Sequence, residues 1–214
     1  MARLEAHYGR PDPPYVTDPF EMAVWEAVAY LVPDQRRREV YDRLVAQVGT
    51  DPAALAAMPR ARLAELIADG GMQPDRRAEK LQLAADLALE VGRDQLRVLC
   101  RSNPRKARAL LRKFPGIGEP GADKMLLFNR GQPGLAPDSN GLRVLVRLGF
   151  GAAADQYPRR YRSAAEAVAP ELPNDFGWMI RAHQLLRRHG QELCKTNEPR
   201  CPRCPLAARC PGRV

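Results

Sequence analysis

The sequence predicts an all-helical protein. Apolar residues recur at the three- and four-residue spacing of amphipathic helices along nearly all of the 214 residues, and no segment alternates as strands do. The connections are short and rich in proline, glycine, aspartate and asparagine, the residues that start and stop helices. With 45% hydrophobic residues, the chain can bury a core. We therefore expect one helical unit, or two small lobes that share a core.

The first half of the chain contains five predicted helices. DPFEMAVWEAVAYLV, residues 18–32, has an apolar stripe that extends to Leu31, and Pro33 closes the helix. Asp51 is expected to cap a later helix that has Pro52 at its first position. The other predicted helices lie within 35–49, 60–71 and 74–92.

The second half continues the helical pattern. Asn103 is expected to cap a helix that begins at Pro104. Cys100 precedes it in an apolar pattern, which predicts a core residue. A Pro-Gly-Ile-Gly hairpin separates two helical runs at 110–128, and the remaining predicted helices lie within 93–100, 135–150, 163–172 and 174–190.

The charge of the chain predicts a polyanionic partner. Lysine and arginine number 34 against 25 aspartates and glutamates, a formal charge of +9, and neutralising phosphates releases condensed counterions. No apolar run is long enough to span a membrane. The N-terminus lacks a signal-peptide apolar core, so we expect a cytoplasmic protein with reduced thiols.

Four of the five cysteines fall within the last 21 residues. Thiolates so close together in a reducing compartment indicate a metal site and not disulfides. Structural zinc sites with four cysteines usually contain two CxxC pairs, and here only Cys201 and Cys204 form one. The wider loops favour an iron-sulfur cluster over zinc, the alternative. The predicted ligands are Cys194, Cys201, Cys204 and Cys210.

Three segments together resemble one family. FPGIGEPGA, APDSNGLRVLVRLG and HGQELCKTNEPRCPRCPLAARC match, in order and separation, the endonuclease III branch of the helix-hairpin-helix DNA glycosylase superfamily, which carries a C-terminal 4Fe-4S cluster. The resemblance implies a two-lobed fold with DNA bound in the cleft between the lobes. A six-helix barrel would span 22–132 and include the hairpin at 110–128. The cluster lobe would combine 1–21 with 133–214.

The hairpin has the composition of a phosphate site. Gly116 and Gly118 permit a tight turn, and the helix that follows presents its positive N-terminus to the same point. An ordinary helix-helix turn is the alternative interpretation. With the other two motifs present we favour DNA contact, which is predicted for Gly116, Ile117, Gly118, Pro120 and Gly121.

Asp138 is the expected catalytic residue. Directly before a helical run, it also has the character of an N-cap. The resemblance implies that its carboxylate stabilises positive charge at C1′ of the target nucleotide or activates a nucleophile there. In bifunctional family members a lysine in the hairpin forms a Schiff base, and its position here is Pro120. Lys124, four residues further on, is the alternative amine, or else a solvent-facing lysine paired with Asp123 or Glu119.

Other candidate DNA contacts follow from charge and from the resemblance. The cluster loop is basic, with Glu198 as its single acid. We expect phosphate contacts from Lys195, Arg200, Arg203, Arg209 and Arg213. By position, Asp34 or Gln35 would fill the gap left by a flipped base, and Met72 would be an apolar wedge or a core residue.

Three hypotheses remain. The leading one is a monofunctional base-excision glycosylase that uses Asp138 and a water nucleophile, binds double-stranded DNA with a damaged base or abasic site, and works as a monomer at the nucleoid. The second is a glycosylase with lyase activity from Lys124 or another amine. The third is a non-catalytic binder of damaged DNA.

Overall fold

The all-helical prediction is confirmed. The computed structural model describes residues 1–152 and 155–212, and these contain no strand, only an isolated bridge between Tyr30 and Gly71. The helices are α1 Ala2–Tyr8, α2 Pro19–Ala27, α3 Asp34–Gln47, α4 Pro52–Ala57, α5 Arg60–Leu66, α6 Pro74–Val91, α7 Arg93–Ser102, α8 Pro104–Leu111, α9 Glu119–Phe128, α10 Ser139–Arg147, α11 Tyr157–Val168 and α12 Phe176–Glu192. Short 3-10 turns lie at Ala68–Gly70, Ala169–Glu171, Cys201–Arg203 and Ala207–Arg209.

The chain divides into two compact units. One contains residues 16–118, and the other combines 1–15 with 119–214. This division differs from the predicted boundaries, because α9 packs in a cluster with α12 that contains Leu127, Met179 and Ile180. The functional division at 22–132 stays a prediction.

The unit of residues 16–118 is built around α6, which packs against α2, α4 and α5. The predicted starts of α4 and α8 are confirmed, since Asp51 and Asn103 each accept a hydrogen bond from the backbone N–H three residues on. Cys100 is fully buried, as predicted. Burial raises the pKa of its thiol to about 11.

The predicted helix over 18–32 is wrong at its C-terminal end. It ends at Ala27, and Leu31 has φ of 57° and is 76% exposed, so it is no part of the core. The cause is Arg77, which is 4% exposed and donates to the carbonyl oxygen of Val28. Arg77 also donates to four carbonyls of the neighbouring loop, those of Ile67, Ala68, Gly71 and Met72. One buried guanidinium therefore holds two loops together.

The unit that contains 1–15 and 119–214 has α12 at its centre. Helices α1, α9 and α10 pack against it, and α11 contacts α10. Helix α1 was not predicted, and Leu4 buries it against Leu185 and Leu186 of α12. Among the described helices of both units, none combines the length and apolarity that a membrane span requires.

Candidate active site and metal centre

Asp138 begins α10 and has a fixed carboxylate. Its Oδ1 accepts a hydrogen bond of 2.8 Å from the backbone N–H of Gly141, which confirms the predicted N-cap. The other oxygen, Oδ2, lies 3.3 Å from the amide nitrogen of Asn140 and 3.3 Å from Nε of Arg187. The side chain keeps 28% of its surface exposed. The cap and the two polar neighbours orient the carboxylate without burying it.

The segment before Asp138 is anchored to α12. Ala136 is buried, and its carbonyl oxygen lies 2.6 Å from Nδ1 of His183. Because a carbonyl only accepts, Nδ1–H is the donor. Burial, with Lys124 next in effect, lowers the pKa of His183 to about 4. The imidazole is therefore neutral at pH 7 and fixes the chain two residues before the candidate carboxylate.

Lys124 lies on α9, close enough to His183 to perturb it electrostatically. It is half-buried, and its charge acts on the same imidazole that Asp138 and Arg187 also influence. Lys124 and Asp138 belong to the same unit, and the role of Lys124 stays a prediction. Pro120 occupies the second position of α9, where its missing N–H costs no helical hydrogen bond.

Arg143 connects this site to the cysteine loop. Its Nη2 donates to Oδ1 of Asn140 at 2.9 Å and to the carbonyl oxygen of Gly190 at 2.7 Å. Its Nε donates to the carbonyl oxygen of Cys194 at 2.7 Å. Gly190 must lack a side chain, because a Cβ there would lie 2.5 Å from the carbonyl oxygen of Asn140. Asn140, the neighbour of Asp138, is therefore held by the same guanidinium that holds a predicted metal ligand.

The four predicted cysteine ligands line one cavity. Arg147, Leu193, Pro199, Ala207 and Gly212 complete the lining. Arg147 Nη1 lies 3.3 Å from Sγ of Cys194, and the backbone N–H of Leu206 donates to Sγ of Cys204 at 3.4 Å. Burial raises the pKa of the Cys204 thiol. The sulfur atoms thus have N–H donors around them, as metal-bound thiolates do.

The four cysteines share one cavity but do not form a site for one metal ion. Within residues 1–152 and 155–212, no three or more histidine, cysteine, aspartate or glutamate side chains converge closely enough to hold such an ion. Four thiols nevertheless line the same cavity. A 4Fe-4S cluster takes one cysteine at each of four separated iron atoms, and the choice between a cluster and zinc stays a prediction.

The hairpin turn is exposed and tight. Gly116 has φ of 84°, a left-handed conformation that favours glycine. The N–H of Ile117 donates to the carbonyl oxygen of Phe114 at 3.0 Å, and the side chain of Ile117 is buried. Gly116 and Gly118 are exposed on either side of it, while Pro120 and Gly121 are half-buried in the first turn of α9. Ile117 therefore anchors the turn and does not itself face solvent.

Lys80 was not predicted as part of this site. A Cβ placed on Gly116 would lie 3.5 Å from its Nζ, so its ammonium group lies beside the exposed turn. Lys80 is on α6, 36 residues earlier in the chain, and no sequence motif connects it to the hairpin. An anion at the turn would meet the lysine as well as the backbone.

The basic residues of the cysteine loop are mostly exposed. Arg200, Arg203 and Arg209 are exposed, and Lys195 is half-buried. Arg213 lies outside the described residues. The three exposed arginines adjoin cysteines in sequence, so the cysteine loop presents positive charge to solvent.

The two loops that Arg77 holds present apolar side chains to solvent. Met72 is 61% exposed, and so are Tyr30 at 58% and Leu31 at 76%. Asp34 and Gln35 form the first turn of α3, where Gln35 bonds Glu39, and their gap-filling role stays a prediction. Sequence reasoning missed Tyr30 and Leu31 because it continued α2 through them.

Comparison with known proteins gives consistent relatives. The chain is 34% identical to endonuclease III of Rickettsia conorii over 111 residues, 51% of this chain and 48% of that protein. It is 27% identical to a thymine-DNA glycosylase of Aeropyrum pernix over 95% of this chain and 87% of the relative. A trapped covalent complex of endonuclease III with DNA superposes with a TM-score of 0.75 at 21% identity, covering 99% and 92% of the two chains. No family model matches.

The fold and these relatives define the class of protein. The chain has the fold of endonuclease III and of a thermostable thymine-DNA glycosylase. Its sequence is similar to proteins of the same two kinds, which resemble the helix-hairpin-helix DNA glycosylases. The alignment to the first of them spans about half of that relative's length.

Proposed function

We propose that this protein is a base-excision DNA glycosylase that hydrolyses the bond between a damaged base and its sugar. The observation that carries the proposal is the Asp138 carboxylate, which is oriented by Gly141, Asn140 and Arg187 and yet is partly exposed. The substrate is double-stranded DNA, and the target nucleotide leaves the base stack to reach the carboxylate.

The proposed reaction is a displacement by water. As the bond between C1′ and the base nitrogen breaks, positive charge develops on the sugar, and Oδ2 of Asp138 stabilises it electrostatically. A water molecule adds its oxygen to C1′ and gives up one proton, and the departing base takes up one proton, which leaves a C1′ hydroxyl and the free base. Asn140 and Arg187 hold Oδ2 in place during these steps, while Gly141 holds Oδ1.

Pro120 supports a monofunctional reaction. A Schiff base needs a primary amine that attacks C1′, and Pro120 has none at the hairpin position where bifunctional members carry lysine. Hydrolysis would therefore leave an abasic site with an intact strand.

Lys124 supports a second candidate, a glycosylase with lyase activity. Its charge acts on His183, which also responds to Asp138, so the amine lies within the electrostatic neighbourhood of the candidate carboxylate. In this second reaction the amine of Lys124 would displace the base at C1′ and form a Schiff base. The Schiff base would then eliminate the 3′ phosphate and break the strand.

The four cysteines would hold a 4Fe-4S cluster. Their shared cavity and the N–H donors around two of the sulfurs support this cofactor. When bound, the cluster would fix the loop that carries the exposed arginines and, through Arg143, the segment of Asn140. Chemistry at C1′ needs no electron from it.

DNA contact would be made mainly through phosphates. The exposed hairpin with Lys80 beside it forms one contact, and Arg200, Arg203 and Arg209 supply others. Met72, with Tyr30 and Leu31 next to it, would be the apolar wedge at the lesion. We further propose that the protein is a monomer that associates with the nucleoid. A binder without catalysis would show the same contacts, and base release distinguishes it.

The test is a panel of duplexes that each contain one damaged base, incubated with the protein and analysed with and without alkali. We expect strand breaks only after alkali, and no covalent complex when borohydride is present, because Pro120 provides no amine. Direct strand cleavage with a trapped adduct that Lys124→Ala abolishes would establish the lyase reaction instead. Binding to lesions without release of any base would instead support the hypothesis of a non-catalytic binder of damaged DNA.

Lys80→Ala is expected to weaken binding to undamaged and damaged duplexes alike. The slope of log K against log salt concentration should decrease in magnitude by about one, because about one phosphate contact is lost. Fluorescence anisotropy at several salt concentrations measures both quantities. Lys106→Ala is the matched control, because Lys106 is exposed at the opposite end of α8 from the hairpin. A loss confined to one lesion would contradict the assignment to phosphate.

Arg203→Glu tests the cysteine loop in the same way. Reversing an exposed charge at a phosphate contact should weaken all duplexes together and more strongly than Lys80→Ala, because it adds repulsion to the lost attraction. An effect on a single lesion would instead indicate contact with the base.

A further inference from the structure

A buried histidine stands between the N-terminal helix and one predicted cluster ligand. His189 lies on α12 and is 1% exposed. Its Nδ1 is 3.0 Å from the hydroxyl oxygen of Tyr8 on α1, and its Nε2 is 3.4 Å from Sγ of Cys204. Both ring nitrogens are thus engaged, each by a different part of the same unit.

The chemistry of a metal-bound cysteine fixes the direction of these hydrogen bonds. A ligating thiolate has no proton and only accepts, so Nε2–H of a neutral His189 must be the donor to Cys204. Nδ1 then carries the lone pair and accepts from the Tyr8 hydroxyl.

Helix α1 is held so that Tyr8 stays in place. The guanidinium of Arg188 lies 4.8 Å from the centroid of the Tyr8 ring, and its Nη1 donates to the Tyr8 carbonyl oxygen at 3.2 Å. Leu4 is buried in the cluster of α10 and α12 side chains. The hydroxyl that selects the tautomer is therefore positioned by packing as well as by the histidine.

We propose that Tyr8 and His189 are positioning residues for the iron-sulfur centre, in which His189 donates a hydrogen bond to the sulfur of Cys204 and Tyr8 selects the tautomer that can donate. The inference rests on the proposed cluster. It gives the N-terminal helix a function, because α1 contributes Tyr8, the first residue in the series of hydrogen bonds from Tyr8 through His189 to Cys204.

The expected consequence concerns the cluster and not base release. Hydrogen bonds to the sulfur ligands are one of the factors that set the potential of an iron-sulfur centre, and a donor raises it by stabilising the more negative, reduced form. The same bond fixes the ligand against loss of the metal. Removing the donor should lower the potential and speed the release of iron.

The experiment uses the purified holoprotein and four variants: Tyr8→Phe, His189→Leu, His189→Gln and Tyr15→Phe. It measures the reduction potential by voltammetry and the rate of iron release to a chelator in air. Tyr15→Phe is the matched control, since Tyr15 is an exposed tyrosine of the same unit. Glutamine retains an N–H donor, so it tests rescue.

We expect His189→Leu to lower the potential and to release iron about 10-fold faster. Tyr8→Phe should shift both quantities in the same direction by less, and His189→Gln should restore most of the loss. Tyr15→Phe should match the wild type. If His189→Leu does not fold, Tyr8→Phe decides the matter alone.

Unchanged potential and iron release in Tyr8→Phe, or a His189→Gln variant as impaired as His189→Leu, would overturn the inference. Wild-type protein that contains no iron would overturn the proposed cofactor, and the inference with it. The two failures are distinguished by the iron content of the wild type, which is measured first.

Discussion

Asp138→Asn is expected to reduce the rate of base release at least ~100-fold and to leave duplex binding unchanged. The substitution removes the negative charge that stabilises C1′ in the transition state. It keeps an oxygen that can accept the hydrogen bond from Gly141, so the cap of α10 is largely preserved. Single-turnover base release on the substrate found in the duplex panel gives the rate, and anisotropy gives the affinity.

Asp175→Asn is the matched control for this result. Asp175 caps α12 through the N–H of Trp178 at 3.0 Å, so it undergoes the same chemical change at the same kind of position in the same unit. Its rate of base release should equal that of the wild type. If Asp138→Asn also retained the wild-type rate, Asp138 would be a cap alone and the proposed mechanism would be wrong.

Cys201→Ser is expected to abolish the cluster and most of the soluble protein. On the cluster interpretation, wild-type protein should be yellow-brown and contain about four iron and four sulfide ions per chain. Residues 193–212 are otherwise held by hydrogen bonds, such as those from Arg143 to the Cys194 carbonyl and from Gly212 N–H to the Arg147 carbonyl, and by the packing of Leu206 against the core. Losing one of four ligands removes a covalent anchor from this loop.

Metal analysis and the soluble yield measure this effect, and Cys100→Ala is the control. Cys100 is buried in the other unit, so its variant should keep the iron content of the wild type. Stoichiometric zinc in protein made with abundant iron would overturn the cluster. Loss of activity in a soluble Cys201→Ser protein that still binds DNA would instead indicate a redox role.

Local capping chemistry made much of the fold predictable. Asp51 with Pro52, and Asn103 with Pro104, fix helix starts through contacts three residues away, and a sequence displays such contacts directly. Asp138 was recognised as a cap for the same reason. The grouping of four cysteines around one cavity was predictable from their crowding in sequence, and their role as metal ligands stays a prediction.

Contacts over long sequence distances were not predictable. Arg187 reaches Asp138 from α12, and Lys80 reaches the hairpin from α6. No sequence motif marks Arg187 or Lys80, because arginine and lysine are common on the polar face of any amphipathic helix. The early end of α2 was missed because the carbonyl of Val28 bonds Arg77, 49 residues away, instead of continuing the helix.

Arg77 fixes the backbone of two loops without using the side chains that those loops expose. Five main-chain carbonyls of the two loops accept from this one side chain, and every residue type presents a main-chain carbonyl. The side chains of Tyr30, Leu31 and Met72 contribute nothing to that arrangement and lie in solvent. Substitutions of Tyr30 and Met72 should therefore change the apolar surface of these loops, while the hydrogen bonds from Arg77 keep the loop backbone in place.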